Sequence, residues 1–163
     1  MASNKVQFTS NVVSIGVVAS NLQQSLDFYT QVIGMQKTGG FSIDAQLSKT
    51  SGLAGGIPFD VTILQLANDP SATQYKIMSF NKPKGWFWRW KHRFIQRGLG
   101  VRYITILVED LSPIQLQMKN QNIPALGDTP IPMTFADGTK VSYLLIQDPD
   151  GVFIELIAPV KTD

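Results

Sequence analysis

Length and composition indicate an ordinary globular chain. It has 163 residues, 44% of them hydrophobic and 16% charged, and a chain of this size can bury most of its apolar surface in one core. The net charge of +2 is too small to predict a nucleic-acid partner. The absence of cysteine excludes disulfides and thiolate metal sites. No apolar run of about 18 residues and no secretory signal at the start are present, so we expect a soluble, cytoplasmic protein without a membrane partner.

The first half of the chain predicts a strand, a helix and then further strands. Residues Val12–Ala19 form a short β-branched run typical of a strand. Asn21 stands where a helix N-cap belongs, and Gly34 where the helix ends. A helix between them is predicted by the roughly helical spacing of four apolar residues, Leu22, Leu26, Tyr29 and Ile33. Two further strands are expected at Asp60–Leu66 and Gln74–Phe80, after a loop at Gly39–Gly56 with a short helix near Asp44–Ser48.

The second half repeats this order. Strand character returns at Tyr103–Val108, and Asp110 stands as the next N-cap with Pro113 in the first turn. The Pro-rich stretch 124–132, continued by residues 133–135, is expected to form a loop. Asp137 and Gly138 are a turn pair that predicts a hairpin. Strands are then expected at Lys140–Gln147 and Val152–Ala158.

Superposing the halves indicates an internal repeat. Asn21-Leu22 aligns with Asp110-Leu111 at an offset of 89 residues, while the last strands align at an offset of 79. The chain therefore divides into a first module at about 11–80, a linker at 81–100 and a second module at about 101–160, which we expect to form one domain over 1–163.

The motifs of this repeat resemble a known superfamily. Phe28-Tyr29 with Ile33-Gly34-Met35, and the ending Asp148-Pro149-Asp150-Gly151 through Glu155-Leu156, are similar to those of the glyoxalase, bleomycin-resistance and extradiol-dioxygenase (vicinal oxygen chelate) proteins. The resemblance implies an α+β fold of two βαβββ modules, whose sheets form an open barrel around a cavity. It implies no particular reaction, because this fold hosts many chemistries.

The resemblance also implies four metal-ligand positions, on the first and last strands of the modules. In this sequence they are Ser14, Lys76, Tyr103 and Glu155. Only Glu155 matches the histidine, glutamine or glutamate of the metalloenzymes, since neutral serine, protonated lysine and neutral tyrosine are poor ligands. The one histidine, His92, lies in the linker. We therefore expect a site without a metal or other cofactor.

Strand alternation predicts which side chains face the cavity. Ser14, Gly16 and Val18 are expected on one face of the first strand, and Tyr103, Thr105 and Leu107 on the matching face of the second module. The predicted ligand-binding set adds residues of the later strands and of the Pro-rich rim: Ser14, Lys76, Met78, Tyr103, Thr105, Phe135 and Glu155.

Three of these positions carry specific hypotheses. The Lys76 ammonium is predicted to pair with the Glu155 carboxylate in place of the ion, the alternative being that each reaches solvent separately. The Tyr103 phenol would bind a ligand, act as an acid aided by Lys76, or simply fill the space of a metal and its waters. No base accompanies Ser14, which argues against a serine nucleophile.

The linker concentrates all three tryptophans, Trp86, Trp88 and Trp90, among basic residues. An aromatic lid over the cavity, a patch for an anionic membrane, a flat ligand platform and a buried crossing segment are the alternatives. The segment is apolar enough to suit a symmetric homodimer.

The leading prediction is a metal-free protein that binds a small organic molecule in the cavity between its modules. The alternative is a lyase, isomerase or dioxygenase, either metal-dependent if the register is wrong or an acid–base catalyst using Tyr103, Lys76 and Glu155. A third interpretation is an interaction module that presents the tryptophan segment to a partner.

Overall fold

The computed structural model describes residues 10, 12–66, 69, 71–80, 94–95 and 100–160. They fall in two compact units, one within Met1–Ala19 and Met35–Asn81, the other within Ser20–Gly34 and Lys82–Asp163. None of the described helices is long and apolar enough to cross a membrane. Trp86, Trp88, Trp90 and His92 lie outside the described residues.

The first unit is built on a four-stranded sheet. Its strands are β1 (Ile15–Ala19), β2 (Gln36–Ile43), β3 (Phe59–Gln65) and β4 (Tyr75–Ser79), in the order β1-β4-β3-β2 with β1 and β4 parallel. Helix α2 (Ala45–Thr50) connects β2 to β3, and the Asp44 carboxylate caps it by accepting from the Leu47 N–H at 2.7 Å. This cap confirms the short helix expected in the long loop.

The second unit carries the same sheet again. Its strands are β5 (Tyr103–Leu107), β6 (Ile131–Thr134), β7 (Lys140–Gln147) and β8 (Phe153–Pro159), in the order β5-β8-β7-β6. The parallel pair repeats the register of the first unit, since Thr105 faces Glu155 as Gly16 faces Lys76. The α+β class and the two repeated βαβββ modules are therefore confirmed.

Among the described residues, three helical segments accompany the second sheet. They are α1 (Leu22–Asp27), a π-helical segment that continues it (Phe28–Val32), and α3 (Ser112–Asn120). Asn21 caps α1 as predicted, because its side chain accepts from the Gln24 N–H at 3.2 Å. The single long helix expected to Ile33 is corrected, since its second half is π-helical. Gly34 follows with a positive φ of 87°, a conformation that glycine adopts without strain.

The start of α3 differs from the prediction by one residue. Leu111 is its N-cap, and the helix begins at Ser112. Asp110 acts from one residue further back, because its carboxylate accepts from the Ser112 N–H at 2.9 Å. Although Asp110 is one residue before the N-cap, its carboxylate still satisfies the Ser112 N–H, one of the unpaired donors of the first turn.

Two strands were wrongly predicted as loops. The second half of β2 lies in the loop expected at Gly39–Gly56, and β6 lies in the Pro-rich stretch and its continuation. Both are edge strands that pair on one side only. All four residues of β6 are exposed, as are most of β2. A strand without a buried face has no apolar alternation, so its sequence does not reveal it.

Alternation along β5 separates the two faces of the second sheet as predicted. Ile106 is 4% exposed, whereas Tyr103 and Leu107 are 49% and 76% exposed. The buried face belongs to the core of the unit, whose fully or nearly fully buried members include Tyr29, Ile114, Met118, Leu144, Ile146, Ile154 and Leu156. The opposite face of β5, β8 and β7 is the one available to a ligand.

Candidate ligand-binding site

The candidate site is the exposed face of the second sheet, defined by alternate residues of three adjacent strands. Cross-strand pairing places Thr105, Glu155 and Leu145 in one row. The next row holds Leu107, Ile157 and Tyr143. Tyr103 precedes Thr105 on the same face. The face consists of Tyr103, Thr105, Leu107, Tyr143, Leu145, Glu155 and Ile157.

Glu155 is the centre of a hydrogen-bonded cluster on this face. The Thr105 hydroxyl donates to Glu155 Oε2 at 2.6 Å. The Tyr143 hydroxyl donates to the other oxygen, Oε1, at 3.1 Å. Because β8 lies between β5 and β7, the carboxylate is held from both neighbouring strands, and one lone pair of each oxygen is occupied.

The electrostatics of the cluster keep Tyr143 protonated. Partial burial, followed by the negative charge and the hydrogen bond of Glu155, raises the pKa of Tyr143 to about 12. The nearby Tyr103 phenol raises this pKa further. Tyr143 therefore acts as a neutral donor at ordinary pH and cannot serve as a general base there.

The turn between β7 and β8 holds this face in register. Asp148 Oδ1 accepts from the backbone N–H groups of Asp150 and Val152 at 2.9 and 2.8 Å. Its Oδ2 accepts from the buried Tyr29 hydroxyl at 2.8 Å. Desolvation nevertheless raises the pKa of Asp148, against the lowering effect of these donors. Gly151 completes the turn with a φ of 93°.

The structure brings Tyr103, Thr105 and Glu155 of the predicted set together on this face. Phe135 lies instead in the hairpin turn after β6, where its N–H donates to the Thr139 carbonyl at 2.9 Å. The hairpin predicted from Asp137-Gly138 is thereby confirmed.

The other predicted residues belong to the first unit. Ser14 is exposed, and its hydroxyl lies 3.4 Å from Gln74 Oε1. Lys76 and Met78 are half-buried on β4, paired across to Gly16 and Val18 of β1. The predicted pairing of Lys76 with Glu155 joins the two units and stays a prediction, as does the cavity expected between the modules.

Tyr143 is the cluster residue that the sequence analysis missed. A signal for it existed, because the Asp148–Gly151 turn fixes Gln147 opposite Phe153. Counting back along β7 then places Leu145 opposite Glu155 and Tyr143 one row further on. The register of the hairpin, rather than the internal repeat, would have identified it.

The residues at this face do not fit the metal that the family resemblance implies. A catalytic divalent ion takes about three nitrogen, thiolate or carboxylate ligands from the protein. Glu155 is the one such group on this face, and hydroxyl donors engage both of its oxygens. Across the described ranges, no three histidine, aspartate or glutamate side chains are grouped as ligands.

Comparison with known proteins identifies relatives of this fold. A family model described as the Glyoxalase/Bleomycin resistance protein/Dioxygenase superfamily matches residues 11–156. A glyoxalase family protein from Bacillus cereus is 17% identical, with a TM-score of 0.70 and coverage of 99% of both chains. A comparison with curated proteins gives no match.

Two enzymes are also similar in structure. The trypanothione-dependent glyoxalase I of Leishmania major is 19% identical, with a TM-score of 0.60 over 92% of this chain and 87% of that one. Glyoxalase I from Zea mays is 17% identical, with a TM-score of 0.61 over 93% of this chain and 45% of that one. At these identities the likeness is one of fold alone.

Proposed function

The chain belongs to the Glyoxalase/Bleomycin resistance protein/Dioxygenase superfamily, and on that premise we propose that it binds a small organic molecule without a metal ion. The proposed site is the exposed face of the second sheet. One observation carries the proposal: a carboxylate fixed by two hydroxyl donors, those of Thr105 and Tyr143, lies on a face that solvent can reach.

This face combines the two kinds of contact that small-molecule sites use. Glu155 and its hydroxyl partners supply fixed polar groups, which orient a ligand. Leu107 and Ile157 supply apolar surface beside them. Covering a side chain as exposed as Leu107 with an apolar part of a ligand would contribute roughly 2 kcal/mol.

An acid–base enzyme using Tyr103, Lys76 and Glu155 is the second candidate. It requires Lys76 of the first unit to act beside Tyr103 and Glu155 of the second, whereas the proposed binding site needs residues of the second unit alone. In either case the proposed partner is a small organic molecule. A cytoplasmic location and a homodimer stay predictions.

The proposal is tested with a library of small organic fragments and the methyl-labelled full chain in NMR, in metal-free buffer. We expect binding fragments to shift the methyl signals of Leu107, Leu145 and Ile157. Leu107→Ser, which removes the apolar contact of this side chain without adding a charge, should weaken these fragments by roughly tenfold.

Leu116→Ser is the matched control, because Leu116 is also exposed, at 57%, but lies on α3. It should leave fragment binding unchanged. Fragments that bind only after a divalent metal is added, or that shift methyl groups elsewhere and leave this face unperturbed, would contradict the proposal.

A further inference from the structure

The acceptor capacity of Glu155 limits what its ligand can be. An ionised carboxylate has about four lone-pair sites, two on each oxygen. Thr105 uses one site on Oε2 and Tyr143 uses one on Oε1. One site remains on each oxygen. A group that donates two parallel hydrogen bonds matches this pattern, as in the bidentate pairs that carboxylates form with forked donors.

Charge points to the same kind of group. Both protein partners of Glu155 are neutral hydroxyls, so the described part of the second unit leaves the carboxylate with no neutralising cation. Tyr143 also stays protonated and adds no second negative charge. A charged donor forms a stronger hydrogen bond to a carboxylate than a neutral one does.

The aromatic residues are placed to assist a flat cation. Tyr103 on β5 and Tyr143 on β7 flank β8, the strand that carries Glu155. Tyrosine rings attract delocalised planar cations through cation–π contacts and stacking. Leu107 and Ile157 offer apolar contact to the remainder of such a molecule.

We propose that the ligand of this face carries an amidinium or guanidinium group that donates one hydrogen bond to each oxygen of Glu155. This inference rests on the proposed function and narrows it to planar organic cations. It places Glu155 as the specificity-determining residue, with Thr105 and Tyr143 as positioning residues that hold the carboxylate.

Three probes of nearly equal shape test the inference on the full chain. Benzamidine, benzamide and benzoate carry positive, neutral and negative groups on the same ring, and their dissociation constants are measured by NMR titration at low salt. We expect benzamidine to bind about tenfold or more tightly than benzamide, and benzoate to bind more weakly than benzamide. Added salt should reduce the advantage of benzamidine.

Glu155→Gln should remove the preference for benzamidine, because the amide keeps the shape but loses the charge. Glu109→Gln removes an exposed carboxylate outside the face and should leave the preference intact. If the Glu155→Gln variant does not fold, Thr105→Val provides the second test: it frees one oxygen to rotate and should lower the affinity for benzamidine more than that for benzamide.

A Lys76 ammonium paired with Glu155 would compete with the probe, so the series is repeated with Lys76→Met. The inference is overturned if benzamidine binds no more tightly than benzamide in both chains, or fails to bind at all. Binding of neutral or anionic fragments to the same face would then preserve the proposed function, while the absence of any fragment on this face would overturn both.

Discussion

Tyr29 and Asp148 show how a buried polar pair holds the edge of the site. Tyr29 is fully buried, and its hydroxyl donates to a carboxylate that also receives two backbone N–H groups of the β7–β8 turn. Buried carboxylates need such donors, because removing them from water is costly. The pair therefore connects the helical segment to the turn that fixes the register of Glu155.

Tyr29→Phe should lower the free energy of unfolding by about 1–3 kcal/mol, because it leaves a buried carboxylate oxygen without its phenolic donor. Urea denaturation of the variant and of the natural chain measures this difference. Tyr103→Phe is the control, since Tyr103 is half-exposed and its loss should change stability by less than about 0.5 kcal/mol. Equal effects of the two substitutions would show that the Tyr29 hydroxyl contributes no more than an exposed one.

Tyr143 gives a pH dependence whose sign follows from its raised pKa. The folded chain holds the phenolic proton up to a pH of about 12, whereas an unfolded chain releases it near the ordinary tyrosine pKa of 10.0. Between these values the unfolded state binds fewer protons, so stability falls as the pH rises.

We therefore expect the stability difference between the natural chain and Tyr143→Phe to be constant below pH 10. Between pH 10 and about 12 the natural chain should lose stability relative to the variant, because only the natural chain has the Tyr143 phenol. Denaturation curves measured across this range provide the test. A difference that stays flat above pH 10 would mean that Glu155 and burial do not hold the proton on Tyr143.

At the scale of the elements, β2 depends on a close approach of two backbones. An added Cβ at Gly40 would lie 2.7 Å from the Val61 carbonyl oxygen of β3. At the neighbouring Gly39 the nearest atom is the Ile63 Cδ1, at 4.0 Å. Only the first position requires glycine for steric reasons, because a backbone oxygen cannot move aside as a side-chain end can.

Gly40→Ala should destabilise the chain by about 1–3 kcal/mol, the range for forced shifts in packed regions. Gly39→Ala, in the same strand, should be neutral within about 0.5 kcal/mol or slightly stabilising. Thermal and urea unfolding of both variants compare them directly. Equal destabilisation would show that β2 loses stability through strand flexibility and not through this contact.

At the scale of the whole chain, the parts that the sequence predicts are those with a buried face. The alternation of Tyr103 to Leu107 and the Asn21 cap are local signals, and both are confirmed. β2 and β6 have no buried face, so their residues give no periodic signal. Their position at the sheet edges is set by the strand order of each sheet, and the residue pattern does not predict that order.

Part of the site was also predictable, because β5 has a buried face and its alternation can be recognised in the sequence. The family resemblance pointed to the Glu155 position, and alternation placed Tyr103 and Thr105 on the same face of β5, which the structure shows to be exposed. The hydroxyl contacts of Thr105 and Tyr143 depend on side-chain distances across three strands. These distances depend on the register of two strand pairs, β5 with β8 and β7 with β8. The two registers are seen together only in the folded chain.

Our proposal for this face is that Glu155, held by the hydroxyl donors of Thr105 and Tyr143, binds no metal ion. Its most direct test is a titration of Mn²⁺ into the methyl-labelled chain, followed by the paramagnetic broadening of NMR signals. We expect the methyl signals of Leu145 and Ile157, the neighbours of Glu155 on the exposed face, to broaden no more than those of Leu116 on α3. Selective broadening of Leu145 and Ile157 at stoichiometric Mn²⁺ would place a metal ion at Glu155 and contradict the account.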